Sequence, residues 1–188
     1  MTADPASRSR PSRPSSRPLR VDVTGDRGRA VRAPGLAAWL LRVAPPSARG
    51  VVAVALASDA RVRELNRRYR GKNRVTDVLS FPAGDGPASG FPTPGRRSPP
   101  SDSPPLGDIV IAMGQARRQA RVARHPLATE LRILALHGLL HLLGHDHERD
   151  DGRMGRLERA LRRKGGLPAA GLIERGGRRP SPRRSGRR

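Results

Sequence analysis

Four of the chain's five histidines lie within eleven residues, and their spacing constrains the local fold more than any other feature. The segment reads HGLLHLLGHDH and lies at the end of the longest helical pattern, Leu127–Leu143. Four residues advance an α-helix by about 400°, so His137 and His141 share one face, one turn apart. Gly144 suits the left-handed conformation that ends a helix. We therefore expect a helix and a tight turn that brings a third histidine back to the first two.

The third histidine is either His145 or His147, and the spacing His-x3-His-x5-His selects His147. Three imidazoles can hold one divalent ion and leave a fourth position for water, which is typical of catalytic zinc sites. The chain has no cysteine, so thiolate ligands are excluded. The pattern therefore predicts one Zn²⁺ on His137, His141 and His147, with no small-molecule cofactor. Asp146 either orients a ligand, acts as a base or belongs only to the turn.

The residue after the first histidine separates two kinds of zinc hydrolase. The same spacing, with a glycine seven residues after the first histidine, occurs in the metzincin proteases. Zinc proteases of this kind carry glutamate directly after that histidine, as the general base. Here the position is Gly138, which cannot accept a proton. Peptidase activity is therefore disfavoured, although the histidine spacing fits it.

Strand and helix patterns alternate along the chain. A buried, continuous apolar run such as VVAVALA is typical of an inner strand, and Ser58 or Asp59 is a suitable cap for the helix that follows. The patterns predict strands at Leu19–Val23, Val51–Ala57, Thr76–Phe81 and Leu106–Ala112, and helices at Gly35–Val43, Ala60–Tyr69, Gly114–Ala123, Leu127–Leu143 and Asp151–Lys164. This alternation indicates a layered α/β or α+β domain.

Three segments have the composition of disordered chain. Residues 1–18 and 166–188 are basic and rich in Arg, Pro, Ser or Gly, and residues 83–105 are rich in Pro, Gly and Ser. We interpret the first two as disordered tails and the third as an insertion in a single domain, residues 19–165. That domain is long enough for one hydrophobic core.

The formal net charge is +22, which favours an anionic partner, with nucleic acid first and an acidic membrane surface second. A solvated basic surface is the alternative. No apolar run approaches the ~20 residues that span a bilayer, and the N-terminus lacks a secretory apolar region. These features favour a cytoplasmic protein without membrane contact. Four aromatic residues are too few for a sheet that stacks bases.

Three segments resemble one known family, the YbeY endoribonucleases, also called rRNA maturation factors. The histidine segment resembles its signature, and ELNRRYRGKNRVTDVLSFP from Glu64 to Pro82 is similar to LNxxYRxKDxPTDVLSFP. The segment LGDIVI from Leu106 is similar to a strand of that family, and all three occur in its order. Asn73 and Val75 depart from the family's usual Asp and Pro.

The resemblance implies an α+β fold, in which a small mixed four-stranded sheet is flanked by about five helices, with zinc on helix 127–143 and the following turn. It implies single-strand-specific cleavage of RNA in 16S rRNA 3′-end maturation and ribosome quality control, with the 16S rRNA precursor and the small ribosomal subunit as partners. It also implies zinc on His137, His141 and His147, and a catalytic role for Arg70, which we expect to clamp the scissile phosphate. Zinc hydroxide and the RNA 2′-hydroxyl both remain candidates for the attacking group.

Three other interpretations are compatible with the sequence. The chain could be a zinc hydrolase of another substrate, or a non-enzymatic RNA-binding ribosome-assembly factor with structural zinc held by a fourth ligand such as His145. A basic RNA-binding module without zinc explains the charge but not the histidine spacing. We also expect the helix Gly114–Ala123 to extend a basic groove through four residues, Arg117, Arg118, Arg121 and Arg124.

Overall fold

A computed structural model describes residues 18–26, 31–83, 103–147 and 150–167. The predicted disorder of the tails and of the insertion falls almost entirely outside these residues. The elements are β1 (Leu19–Gly25), α1 (Leu36–Val43), β2 (Gly50–Ala57), α2 (Asp59–Arg70), β3 (Val78–Pro82), β4 (Pro105–Ala112), α3 (Met113–Val122), α4 (Leu127–Leu142) and α5 (Arg153–Lys164). The nine predicted elements are therefore present in the predicted order.

The four strands form one mixed sheet in the order β1-β2-β4-β3. Strand β2 pairs in parallel with both β1 and β4, whereas β3 pairs with β4 in the antiparallel direction. Every residue of β2 is buried, which explains its uninterrupted apolar sequence. The expected α+β architecture with a small mixed sheet is confirmed.

Helices cover both faces of this sheet. On one face, inward residues such as Val54 and Ile109 pack in a core with residues of α1, α4 and α5. On the other face, Ala55 and Val110 pack against Val62 and the rest of the apolar side of α2. Helices α2 and α4 therefore pack against opposite faces of the same sheet. No helix in the described ranges is both long and apolar enough to cross a bilayer.

The bounds of every element differ by one or two residues from the predicted ones, for example at the ends of α2, α4 and α5. Helix α2 begins at Asp59 because Ser58 is the cap, and its Oγ accepts the N–H of Arg61 at 3.3 Å. Helix α5 begins at Arg153, two residues later than predicted, because Gly152 is held in the left-handed region at φ +76°. Helix α4 ends one residue earlier than predicted, at Leu142.

Helix α4 lies unusually close to the sheet beside the histidines. A Cβ atom on Gly138 would lie 2.7 Å from Cγ2 of Ile109 and 3.1 Å from Oγ of Ser80. The Oγ of Ser80 donates a hydrogen bond to the carbonyl oxygen of Gly138 at 3.2 Å. Only glycine allows the helix to approach β3 and β4 this closely, so the residue is fixed by packing.

Candidate metal centre

The turn after α4 has the geometry that returns the chain toward the helix. Gly144 adopts φ +85°, its N–H donates to the carbonyl of His141 at 3.0 Å, and the N–H of His145 donates to the carbonyl of Leu140 at 3.1 Å. This pair of hydrogen bonds is the Schellman arrangement of a helix end. His147 follows two residues later, close enough to meet the two histidines of the helix.

The three predicted ligands lie together. One ring nitrogen from each of His137, His141 and His147 lies within 4.8 Å of the other two. The ring centroids are 4.7 Å apart for the pair on the helix, and His147 lies 5.6 and 5.4 Å from the rings of His137 and His141. His137 is buried, His141 is half-buried and His147 is exposed. His145 does not join this group, although it lines the same cleft.

The nitrogens of the helical pair face one another. Nε2 of His137 and Nε2 of His141 are 3.1 Å apart. Burial, together with the neighbouring His137 and His147, lowers the pKa of His141 to about 4. The imidazole of His141 is therefore neutral at neutral pH, and its lone pair is available to a metal ion.

The donor set fits zinc. Zn–N bonds of about 2.0–2.1 Å in tetrahedral geometry separate two ligand nitrogens by roughly 3.4 Å. The 3.1 Å between the helical pair is near this value, and all three nitrogens lie within 4.8 Å of one another. A metal ion held by these three imidazoles would have a fourth coordination position for water.

A glutamate that the histidine pattern does not indicate also contacts this group. Oε2 of Glu158, from α5, lies 3.2 Å from Nδ1 of His137, and Glu158 is only 1% exposed. Oε1 of the same carboxylate lies 3.5 Å from Nη1 of Arg162, which is fully buried. A signal was present in the sequence, because Glu158 falls between Met154 and Leu161 on the buried side of α5.

The histidines open onto a cleft of about 560 Å³. Its lining is mostly polar and comprises Arg70, Lys72, Thr76, Asp77, Val78, Ser80, His137, His141, Gly144, His145, Asp146 and His147. Two cations, Arg70 and Lys72, thus share one cavity with the histidine group. The cleft can accept an anionic group beside a metal ion.

Arg70 reaches the cleft from the last turn of α2. Its Nη2 donates to the carbonyl of Ser80 at 3.4 Å, and its charge contributes to the lowered pKa of His141. The chain beyond it is held by Asn66, which is 2% exposed and donates from Nδ2 to the carbonyl of Arg74 at 2.8 Å. The loop that follows Arg70 is therefore tied back to α2, which carries Arg70 at the cavity.

One departure from the family pattern lies away from the cleft. The Oδ1 of Asn73 accepts a hydrogen bond from Nε of Arg63 at 2.9 Å, and Asn73 is not among the cleft residues. The absence of a carboxylate at this position therefore leaves the lining of the cavity unchanged.

We predicted that the arginines of helix α3 extend the basic groove of the site. None of the four arginines is among the residues that line the metal cleft. Arg118 forms an ion pair with Asp59. Arg117, Arg121 and Arg124 line a second hollow of about 350 Å³ at the turn between α3 and α4, and it shares no lining residue with the metal cleft. The predicted groove is therefore a separate basic surface.

Comparisons with known proteins agree with the resemblance seen in the sequence and with the observed architecture. A family model described as endoribonuclease YbeY matches residues 38–164. Proteins named endoribonuclease YbeY are similar to this chain: that of Solibacter usitatus is 49% identical over 120 residues, covering 64% of this chain and 69% of the relative. That of Koribacter versatilis is 48% identical over 128 residues, covering 68% and 72%. That of an Anaeromyxobacter species is 46% identical over 127 residues, covering 66% and 59%.

A solved structure shows the same fold. The solution structure of a Thermotoga maritima protein superposes with a TM-score of 0.50 and 24% identity, covering 77% of this chain and 88% of that one. The resemblance seen in three sequence segments is confirmed by a family match that covers more than half of the chain. The chain belongs to the endoribonuclease YbeY family.

Proposed function

We propose that this protein is a zinc-dependent endoribonuclease that cleaves single-stranded RNA. The observation that carries the proposal is the convergence of His137, His141 and His147 in a cleft that Arg70 and Lys72 also line. Cleavage of a phosphodiester develops negative charge on the phosphate oxygens, and positive charge placed near these oxygens speeds the reaction. This cavity concentrates cationic groups beside the histidines. The names of the relatives supply the substrate class.

The three histidines would hold one Zn²⁺ through neutral ring nitrogens. Bound zinc supplies a Lewis acid and a water of lowered pKa. Arg70 then binds the scissile phosphate, because a guanidinium stays charged at all relevant pH values and can donate two parallel hydrogen bonds to phosphate oxygens. Its hydrogen bond to the carbonyl of Ser80 holds the side chain at the cavity.

Gly138 argues against the peptidase alternative on structural grounds. A glutamate at this position would place its Cβ 2.7 Å from Cγ2 of Ile109 in the core. The backbone approach that forms the site therefore excludes the general base that zinc proteases use.

The described residues also favour an open site over a structural one. The residues that converge comprise three histidines, and His145 lies outside that group. A structural zinc site normally has four protein ligands, so the non-enzymatic alternative lacks its fourth ligand among the residues that the structure describes.

We place the activity in 16S rRNA 3′-end maturation and ribosome quality control in the cytoplasm, on the small ribosomal subunit. This setting rests on membership of the family. A precursor with a single-stranded 3′ extension offers phosphodiesters that are accessible to a cleft of this size.

The test is digestion of a single-stranded RNA by the zinc-loaded protein, with three variants beside it. His141→Ala should lose both zinc and activity. Arg70→Glu should keep zinc and lose activity by about 10²-fold or more. Arg67→Glu, a matched change on the same helix outside the cleft, should cut within about threefold of the wild-type rate, because Arg67 does not line the cavity.

Two results would overturn the proposal. One is RNA cleavage by His141→Ala and Arg70→Glu at the wild-type rate. The other is activity that survives complete removal of zinc by a chelator. Including an oligodeoxynucleotide of the same sequence separates the two attacking groups, since efficient cleavage of a strand without a 2′-hydroxyl requires attack by water.

A further inference from the structure

We propose that Glu158 is a positioning residue that fixes the ring of His137 for metal binding, so that helix α5 is part of the metal site. The inference rests on the proposed zinc-dependent function and adds to it a residue on an element that supplies no ligand.

The two ring nitrogens of His137 have different surroundings. Nε2 faces Nε2 of His141 at 3.1 Å, on the side where the third histidine lies. Nδ1 faces Oε2 of Glu158 at 3.2 Å. A carboxylate oxygen can only accept, so Nδ1 carries the proton and Nε2 keeps the lone pair that a metal ion needs.

Burial makes this contact specific. His137 is 8% exposed and Glu158 is 1% exposed, so water does not compete for the hydrogen bond. The carboxylate is compensated by Arg162, one helical turn further along α5, whose Nη1 lies 3.5 Å from Oε1. Each carboxylate oxygen thus faces its own partner, and the arginine leaves Oε2 directed at the imidazole.

A purely structural role is the alternative, in which the buried charges only dock α5 against α4. The chain contains a matched case of that kind. Glu130 is also fully buried, and its Oε2 pairs with Nε2 of His125 at 2.9 Å at the opposite end of α4. His125 is not in the metal-ligating group, so the Glu130 pair can contribute to folding but not to ligand orientation.

The experiment measures zinc affinity by competition with a chelator, and metal-free stability by urea unfolding, for wild type, Glu158→Gln and Glu130→Gln. We expect Glu158→Gln to bind zinc about 10- to 100-fold more weakly than wild type. We expect Glu130→Gln to bind within about twofold of wild type, even where it lowers stability, because its partner is not a ligand. Equal zinc affinity in wild type and Glu158→Gln would overturn the inference, and so would equal losses of affinity in the two variants.

A second measurement needs no variant and decides the matter if Glu158→Gln fails to fold. Long-range ¹⁵N–¹H spectra of the wild-type imidazoles at mildly alkaline pH report which ring nitrogen carries the proton. We expect the Nδ1–H tautomer at His137, both with zinc and after its removal. A predominant Nε2–H tautomer in the metal-free protein would contradict a ring held by Glu158.

The two proposals fail in different ways. A wild-type protein that binds no zinc overturns the proposed function and this inference together. A wild-type protein that binds zinc and cleaves RNA, with Glu158→Gln matching it in affinity, overturns the role of Glu158 alone.

Discussion

Ser80 on β3 and Gly138 on α4 are joined by a hydrogen bond of 3.2 Å from the serine hydroxyl to the glycine carbonyl. The same Ser80 accepts, through its own carbonyl, a hydrogen bond from the guanidinium of Arg70. One residue of the edge strand thus contacts both the helix that carries two histidines and the arginine expected to bind phosphate. The close approach of helix and sheet at Gly138 sets the distance between these two parts of the site.

Enlarging Gly138 should therefore disturb the core and the site together. Gly138→Val should lower the free energy of unfolding by about 2–3 kcal/mol, because the added methyl groups overlap Ile109 and Ser80. Gly138→Ala should lower the free energy of unfolding by less than the valine variant, since alanine regains about 1 kcal/mol of helix propensity. Urea unfolding measures both, and Ser80→Ala, which leaves the space free, is the control. A valine variant as stable as wild type would contradict the close approach.

Removing the metal should lower stability. On the proposed function, zinc would bind only the folded arrangement of His137, His141 and His147, so zinc at about 100 times its dissociation constant should add about 2.7 kcal/mol to the free energy of unfolding. Thermal unfolding with and without chelator measures the shift. His147→Ala should abolish most of it, whereas His145→Ala should leave it nearly intact. Equal shifts in the two variants would show that His147 is not a ligand.

Asp59 should make stability depend on acid pH. Burial would raise the pKa of Asp59, but the hydrogen bond from Arg118 and the backbone N–H groups of Gln115 and Gly114 outweigh it, so the pKa is lowered below 3.8. A lowered pKa means that the carboxylate stabilises the fold above its unfolded-state value, and that this contribution disappears as pH falls through the folded value. Asp59→Ala should lower the free energy of unfolding by roughly 1–2 kcal/mol at neutral pH, and by less near pH ~3. Urea unfolding at both values is the check, and a loss that grows on acidification would contradict it.

The separate basic hollow should contribute salt-dependent RNA affinity. Arg117 and Arg121 line it, and removing one arginine that binds a phosphate should reduce the slope of log affinity against log salt by about 0.7 for a single strand. Fluorescence titration of metal-free protein with single-stranded RNA measures the slope for Arg117→Ala and Arg121→Ala. Arg118→Ala is the control on the same helix, because Asp59 already neutralises that residue. Unchanged slopes in the first two variants would exclude the hollow from binding.

Local backbone geometry made much of the metal group predictable. The turn length of a helix places His137 beside His141 without any knowledge of tertiary structure, and a glycine after the last turn indicates where the chain reverses. The positions of strands and helices were equally predictable, because the periodicity of apolar residues and continuous apolar runs depend only on neighbours in sequence.

Residues whose role depends on packing between distant parts of the chain could not be predicted from the sequence in the same way. Glu158 meets His137 across 21 positions of sequence, and nothing local specifies that α5 packs beside α4. Gly138 is required because β3 and β4 lie close to α4, and the sequence of α4 alone does not indicate this distance. Arg70 was singled out only by resemblance, because arginines surround it on α2. The strand order β1-β2-β4-β3 likewise follows from packing, not from any single segment.

The exposure of the three histidines decreases from the turn to the helix, with His147 exposed, His141 half-buried and His137 buried. An ion that arrives from solvent would therefore first meet the most exposed of the three side chains, and then the two rings that one helix carries. Release should follow the reverse path, beginning with His147. The rate at which this protein would exchange a bound metal ion is thus expected to depend on the mobility of one turn, while the strength of binding would depend on the helices beneath it.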